Sequence, residues 1–454
     1  MKKIIFCFIG LMIFFVLISI TNLFSSREII AVDENLDKNF KHAARIIYSK
    51  CADCHSSSGV LPFYAHLPLA RKLIEKDIND GIERFNFDNK FLGNGENFSE
   101  LDLARLESVI YANSMSPMRY RILHWNSGLN KSERESIQKW IYALREEKRA
   151  QQGFIGKRLG EPISPLVVDK NLDENKVLLG NLLFHDKRLS KDDTISCASC
   201  HDLNKGGTDR AISSTGINGQ LGPINAPTVF NAVYNHRQFW DGRASDLEEQ
   251  AGGPVTNPLE MGAEWNHVLA KLKKDQSLVT RFEQNYQDGL NKSNILNAIA
   301  TFERSLVTPN SRFDQYLLGN DNILSESELR GYQHFKSNCI SCHAGPGLGG
   351  LSFEKLGLKK NYFKARGRKP MPADMGLANF THNQDDKHKF KVPTLRNIEL
   401  TAPYFHDGSV KNLEDAIELM AKHQVGKKLK KEEIGEIAAF LRTLNGEYQG
   451  KSLQ

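Results

Sequence analysis

Cys51-Ala-Asp-Cys54-His55, Cys197-Ala-Ser-Cys200-His201 and Cys339-Ile-Ser-Cys342-His343 are three copies of Cys-x-x-Cys-His. That spacing is the attachment signature of c-type haem. Two thiols add across the vinyl groups, and the adjacent histidine ligates the iron. Six of the seven cysteines are used in this way. A zinc site would need further Cys or His pairs at short spacing, and the chain offers none. The expectation is three covalent haem c groups and one-electron chemistry.

What each iron does depends on its sixth position. Methionine there closes the iron and makes a wire; an open position beside an acid–base group makes a catalyst. After His55 comes Met115-Ser-Pro-Met118. Met115 is the expected ligand of the first haem, with Met118 as the alternative. Met371, Met375 and Met420 follow His343, and His406 competes with them; periodicity leaves that choice open. The middle motif differs. Between Asp202 and Asn235 there is neither His nor Met, and the next Met, Met261, stands beside Glu260. An open iron with Glu260 as proton carrier is expected there.

The elements that must position these groups read as helices. The motif histidines are nearly evenly spaced, which predicts three cytochrome-like units in series. Each should have a helix entering the haem motif and later helices closing over it. Phe40, Ala43, Ala44, Ile47 and Tyr48 recur at helical spacing before Cys51. Ser132-Glu-Arg-Glu135 predicts a capping box for a helix bearing Ile137, Trp140, Ile141 and Leu144. Ser325-Glu-Ser-Glu328 predicts another, for a helix running into Cys339. Ile434, Ile437, Ala438 and Leu441 mark a closing helix. Residues 145–157 read as a charged linker. The Gly- and Pro-bearing stretch from Cys197 to residue 262, with Gly252-Gly253-Pro254, reads as irregular and functional.

Residues 4–24 form an apolar run behind Lys2 and Lys3. Its length suits a membrane span better than a cleaved signal, and the lysines place its start in the cytoplasm. Leu23 and Phe24 spoil a cleavage site, and Cys7 is expected to be a thiol without a role. Haem attachment of this type occurs outside the cytoplasm, so export and motifs agree. A net charge of +6 over 454 residues is too mild and dispersed for nucleic acid. The basic cluster Lys355, Lys359, Lys360, Lys364, Arg366, Arg368 and Lys369 reads as a solvated loop. The architecture expected is mainly α: three cytochrome c-like haem domains behind an N-terminal transmembrane helix. Its parts are an anchor at 1–27, a mono-haem domain at 28–150, a peroxidatic haem domain at 151–310 and an electron-transfer haem domain at 311–454.

From about residue 160 to the end, the chain resembles the bacterial di-haem cytochrome c peroxidases. The stretches that carry this are Leu182-Leu-Phe-His-Asp-Lys-Arg-Leu-Ser190, Gly222-Pro-Ile-Asn-Ala-Pro-Thr228, Phe239-Trp-Asp-Gly-Arg243, Leu247-Glu-Glu-Gln-Ala251 and Asn257-Pro-Leu-Glu-Met-Gly262. Lys391-Val-Pro-Thr-Leu-Arg-Asn397 and Pro403-Tyr-Phe-His-Asp-Gly408 follow. The extra N-terminal haem and the anchor resemble the tri-haem branch, which includes membrane quinol peroxidases. The resemblance implies that the haem on His201 is peroxidatic, with Glu260 as acid–base catalyst and Gln250 beside it. It implies that Trp240 couples the middle and third haems and that Met420 is the third haem's distal ligand. It also implies a calcium ion held by Asn225 and the backbone of Thr401 and Pro403. Many relatives carry a histidine that caps the oxidised peroxidatic iron; ungapped alignment puts Ile217 there, and an aliphatic side chain cannot ligate iron.

The function expected is reduction of hydrogen peroxide to water in the periplasm, at the bacterial inner membrane. Electrons would come from membrane quinol, through the first and third haems. A small soluble cytochrome is the alternative donor. Pure multihaem electron transfer is a second reading. A third is a protein-modifying oxidase like the maturation enzyme of methylamine dehydrogenase, whose distal Tyr is replaced here by Met420.

Overall fold

Helices carry nearly all of the regular structure, because the apolar residues recur at helical spacing and the helix starts are capped. The computed structural model describes residues 10, 12–13, 15–22, 36–57, 61–88, 90–91 and 95–453. It divides into two units, Met1–Ile155 with Leu159–Pro162, and Gly156–Arg158 with Ile163–Gln454. The expected boundary at 310 falls inside the second.

In the first unit α1 (Lys38–His55) begins where the Asp37 side chain accepts from the backbone N–H of Asn39 and Phe40. Phe40, Ala43, Ala44 and Ile47 are buried on one face, and the haem motif forms the last turn. After α2 (Pro68–Arg84) and α3 (Glu100–Ala112), α4 (Lys131–Gln151) crosses α1 and packs Trp140 at 5.5 Å from Phe40 and 5.2 Å from Phe98. Two expectations are corrected here. The capping box of α4 is Asn130 with Glu133, two residues before the Ser132 box. The supposed linker at 145–157 is largely helix. Arg145 is 1% exposed, with Nη1 2.5 Å from Glu107 and Nη2 2.8 Å from Glu100. A run of charges reads as a linker because the sequence does not show that two carboxylates of α3 face it.

The second unit is one frame used twice. In the first copy α5 (Glu174–Phe184) crosses α9 (Lys292–Ser305); in the second α11 (Glu326–Asn338) crosses α13 (Lys431–Arg442). Each crossing turns on a glycine. A Cβ on Gly180 would lie 2.0 Å from the Ala298 carbonyl oxygen, and one on Gly331 would lie 1.9 Å from that of Glu436. Four residues on, Phe184 meets Phe302 at 5.3 Å and Phe335 meets Phe440 at 5.1 Å. The loops repeat too. Ala226-Pro-Thr-Val-Phe-Asn231 matches Val392-Pro-Thr-Leu-Arg-Asn397. Thr228 Oγ1 donates to Gly206 O at 2.7 Å, and Thr394 Oγ1 to Gly347 O at 2.6 Å. Asn231 and Asn397 are both left-handed, φ 62° and 59°, a conformation asparagine tolerates well. Both amides donate to the single hydroxyl of Thr308, at 2.8 and 3.0 Å. Phe239-Trp-Asp-Gly242 likewise matches Phe405-His-Asp-Gly408, so Trp240 and His406 are counterparts.

Three more differences from expectation stand out. The middle motif has no entering helix: α5 ends at Phe184, and a four-residue turn, Cys197–Cys200, carries the cysteines. The stretch read as irregular contains α6 (Leu247–Thr256), which runs through Gly252, Gly253 and Pro254. Burial of Leu247, Ala251 and Val255 on one face, with an Asp246 cap, overrides the poor propensity. Arg366, expected in a solvated loop, is half-buried, with its side chain 5% exposed and paired with Asp374 at 2.6 Å and Asp407 at 2.6 Å. Among the described residues no helix is long and apolar enough to cross a membrane. Lys2, Lys3, Cys7 and much of the apolar run lie outside the described residues.

Candidate active site

All three motif histidines are prepared in the same way. His55 Nδ1 donates to Phe85 O at 2.8 Å and Gly81 O at 3.0 Å. His201 Nδ1 donates to Gly207 O at 3.3 Å, with the Pro227 carbonyl as a second acceptor. His343 Nδ1 donates to Leu348 O at 2.9 Å, with Pro393 in the matching place. A carbonyl only accepts, so Nδ1 carries the proton and Nε2 keeps its lone pair. Burial lowers the pKa of each ring, opposed by those carbonyls. Among the described residues the six motif cysteines form no disulfide. Paired thiols beside a neutral imidazole with Nδ1 fixed are the donor set that haem c requires.

The candidate distal ligands are placed unequally. Met115 is half-buried and its carbonyl accepts from Arg121 at 2.6 Å, whereas Met118 is 74% exposed. Met420 is half-buried at the end of α12 (Leu413–Met420), where the helix widens into a π turn, Ala421–Val425. His406, the competitor, is fully engaged elsewhere. Its Nε2 lies 2.8 Å from Asp374 Oδ1, and its ring stacks 4.4 Å from Phe390. Burial pushes the Asp374 carboxyl up, but Arg366, the Met371 N–H and His406 outweigh this and hold it at about 2.

Around His201, Glu260 sits on the turn that follows α6. Asn257 caps this turn by accepting from Leu259 N–H at 3.0 Å, and the same geometry aims its amide at Glu260 Oε1, 2.7 Å away. Burial raises the Glu260 pKa, opposed by the Arg243 charge and the Asn257 bond. Its charge reaches both Cys197 and Cys200. Ile217 is 4% exposed and donates its N–H to Glu260 O at 2.9 Å, so its loop is fastened to this turn. Gln250 lies half-buried on α6.

Trp240 ties the two copies together. Its Nε1 donates to Asn225 O at 3.0 Å, while its carbonyl accepts from Lys391 N at 2.9 Å. Asn225 precedes the Pro227 that faces His201, and Lys391 precedes the Pro393 that faces His343. The indole ring meets His406 edge-on at 6.4 Å. Asn225 donates Nδ2 to Ala211 O at 2.8 Å and its N–H to His406 O at 2.8 Å, which leaves Oδ1 as its ligand atom for a cation. Thr401 closes the turn Ile398–Thr401, and Pro403 follows it, buried. Among the described residues no group of His, Cys, Asp and Glu is arranged to hold a metal ion; oxygen ligands from backbone and amide are not of that kind.

Several residues escaped the sequence reading. Asn257 belongs to a quoted stretch, but its role depends on the turn. Glu303, on α9, is pushed up to about 8 by burial, against the pull of Arg304, and its charge reaches Cys197. Burial alone pushes Lys391 down to about 8.

Comparison with known proteins agrees with this geometry. The family described as di-haem cytochrome c peroxidase matches residues 174–322, a haem-binding domain family matches 13–143, and cytochrome c matches 329–445. Cytochrome c peroxidase Ccp of Escherichia coli (strain K12) is 46% identical over 402 residues, 88% of this chain and 86% of that protein. Cytochrome c551 peroxidase of Nitrosomonas europaea is 46% identical over 63% of this chain and 85% of its own length. The crystal structure of a MauG-like protein associated with microbial copper homeostasis superposes with a TM-score of 0.54 at 32% identity, over 63% of this chain and 93% of that one. With identity of this order running through both copies of the frame and the N-terminal unit, the chain belongs to the di-haem cytochrome c peroxidase family and is a haem peroxidase.

Proposed function

We propose that the chain is a tri-haem, membrane-anchored periplasmic peroxidase that reduces hydrogen peroxide with electrons from membrane quinol. When bound, the haems supply one-electron carriers at His55 and His343 and, at His201, the iron that takes peroxide. Each peroxide needs two electrons and two protons to give two waters.

The observation that carries the reading is Glu260. It is a carboxylate of raised pKa, oriented by Asn257 on the turn that holds the Ile217 loop. Its task is to take the proton from the nearer peroxide oxygen and hand it to the departing one. Gln250 is read as a second polar group of the pocket. Ile217 supports an iron free of a protein sixth ligand in both oxidation states, with no reductive activation required. Trp240 is read as the bridge between the haems on His343 and His201, Met115 and Met420 as the ligands that close the two carriers, and Asn225, Thr401 and Pro403 as a calcium site. The apolar run at 4–24 supports a membrane donor over a soluble cytochrome.

Glu260→Gln tests the reading. It should lower peroxide turnover by about 10²–10⁴-fold while all three haems remain attached; full activity would refute it. Steady-state rates with a quinol and with a reduced small cytochrome decide the donor. A low-spin bis-histidine signal from the middle haem in the fully oxidised protein would defeat the open-iron reading.

A further inference from the structure

Residues 118–125 of the first unit bring together features that peroxide chemistry does not use. The His124 ring lies flat on Tyr120, with centroids 3.8 Å apart and planes within 4°. Its Nδ1 faces the Tyr120 carbonyl at 3.2 Å. A carbonyl cannot donate, so Nδ1 carries the proton and Nε2 accepts, from the Tyr64 hydroxyl at 2.9 Å. The Tyr120 hydroxyl donates to Asp53, which lies between the two cysteines of the first haem motif. Arg119 lies close to Cys54. This cluster therefore sits at the attachment edge of the first haem.

The same loop is apolar outward and is joined to the N-terminal helix. Ile122 and Trp125 are exposed. Ser19 Oγ donates to Ile122 O at 3.1 Å, and Asn22 Nδ2 to Leu123 O at 2.8 Å. Ile18 and Ser19 are buried, whereas Phe15, Val16 and Leu17 are exposed. Helical residues 15–22 thus turn Phe15, Val16 and Leu17 outward and reach this loop through Ser19 and Asn22. Trp and aliphatic side chains at such a place suit the boundary between headgroups and acyl chains.

We propose that quinol is oxidised here, with the quinol ring lodged against Ile122 and Trp125 and its hydroxyl donating to His124 Nε2 in place of Tyr64. The inference rests on the quinol-peroxidase reading above. The balance is complete. A quinol loses two electrons and two hydroxyl protons to become a quinone. The electrons leave singly to the ferric haem c attached at Cys51 and Cys54. The first proton goes to His124 Nε2 and on to water, and the second follows after His124 has released it. At the other end one peroxide O–O bond breaks, taking up two electrons and two protons to give two waters.

The test uses the full chain with its haems in detergent or nanodiscs, with decylubiquinol as donor. Quinol-driven peroxide reduction is measured as a ratio to that driven by ascorbate-reduced tetramethylphenylenediamine on the same preparation. His124→Asn, which keeps a polar side chain but cannot take the proton, should cut that ratio at least tenfold through kcat. Tyr64→Phe should change it by less than threefold, and Trp125→Ala should raise KM for the quinol. Decylubiquinone should quench tryptophan fluorescence in the parent, and Trp125→Phe should abolish that quenching. Parent-like ratio and quenching in both His124→Asn and Trp125→Ala would overturn the site while leaving the quinol reading intact. No quinol-driven turnover in the parent would overturn both.

Discussion

In its proposed role Glu260 must be ionised to accept a proton, so its raised pKa would set the acid side of the pH profile. The kcat/KM for peroxide should rise as pH climbs through that pKa, with a midpoint above that of an ordinary glutamate. The Asn257 bond stabilises the carboxylate, so Asn257→Ala should move the acid limb to higher pH, as steady-state rates against pH would register. Glu303 gives a second pH effect, on stability. Its folded pKa of about 8 lies above that of an exposed glutamate, so its contribution is full below the unfolded value and is lost as pH rises through about 8. Glu303→Gln should flatten that decline in urea unfolding followed by circular dichroism between pH 5 and 8. At this scale the sequence was most readable where chemistry is contiguous. The haem motifs declare themselves because five adjacent residues do the work. Asn257 did not, because its role exists only once the Asx turn has formed. The commitment of His406 to Asp374 depends on a contact across 32 positions.

Helices with their own start signals were legible as well. Ser325 and Glu328 cap α11 as their spacing requires. Where packing decides, local rules failed: α6 tolerates Gly252, Gly253 and Pro254 because one face is buried, and α4 continues through Arg145 because Glu100 and Glu107 face it. Arg145→Ala would strand Glu107, whose carboxyl burial already pushes up to about 7 against the Arg145 charge. The loss should be about 3–5 kcal/mol at pH above 7, and less at pH 5, where Glu107 is protonated; denaturant midpoints at the two pH values measure it. At the helix crossings, Gly180→Ala or Gly331→Ala forces a methyl onto a carbonyl oxygen. Each should cost about 1–3 kcal/mol, seen as a lower Tm with haem still attached.

On the scale of the second unit, the three haem motifs pointed to repetition but not to its depth. Sequence spacing showed motif recurrence; only the structure shows that Asn231 and Asn397 converge on Thr308. Thr308→Val would leave two buried amides without an acceptor, at a cost of about 2–4 kcal/mol, measurable by thermal unfolding. Serine, which retains the oxygen, should recover most of the loss.

That shared hydroxyl makes the two haem loops kin held at a common pivot. Because the helix crossings on glycine and the proline loops recur on both sides, the division of labour proposed for the two haems falls on the places where the copies differ. Tryptophan stands where its twin has histidine, and one helix leads to a glutamate-bearing turn where the other ends in methionine. On the proposed assignment a catalyst and a conductor are variants of a single template, and exchanging those few side chains between the twins is the direct way to ask how little separates them.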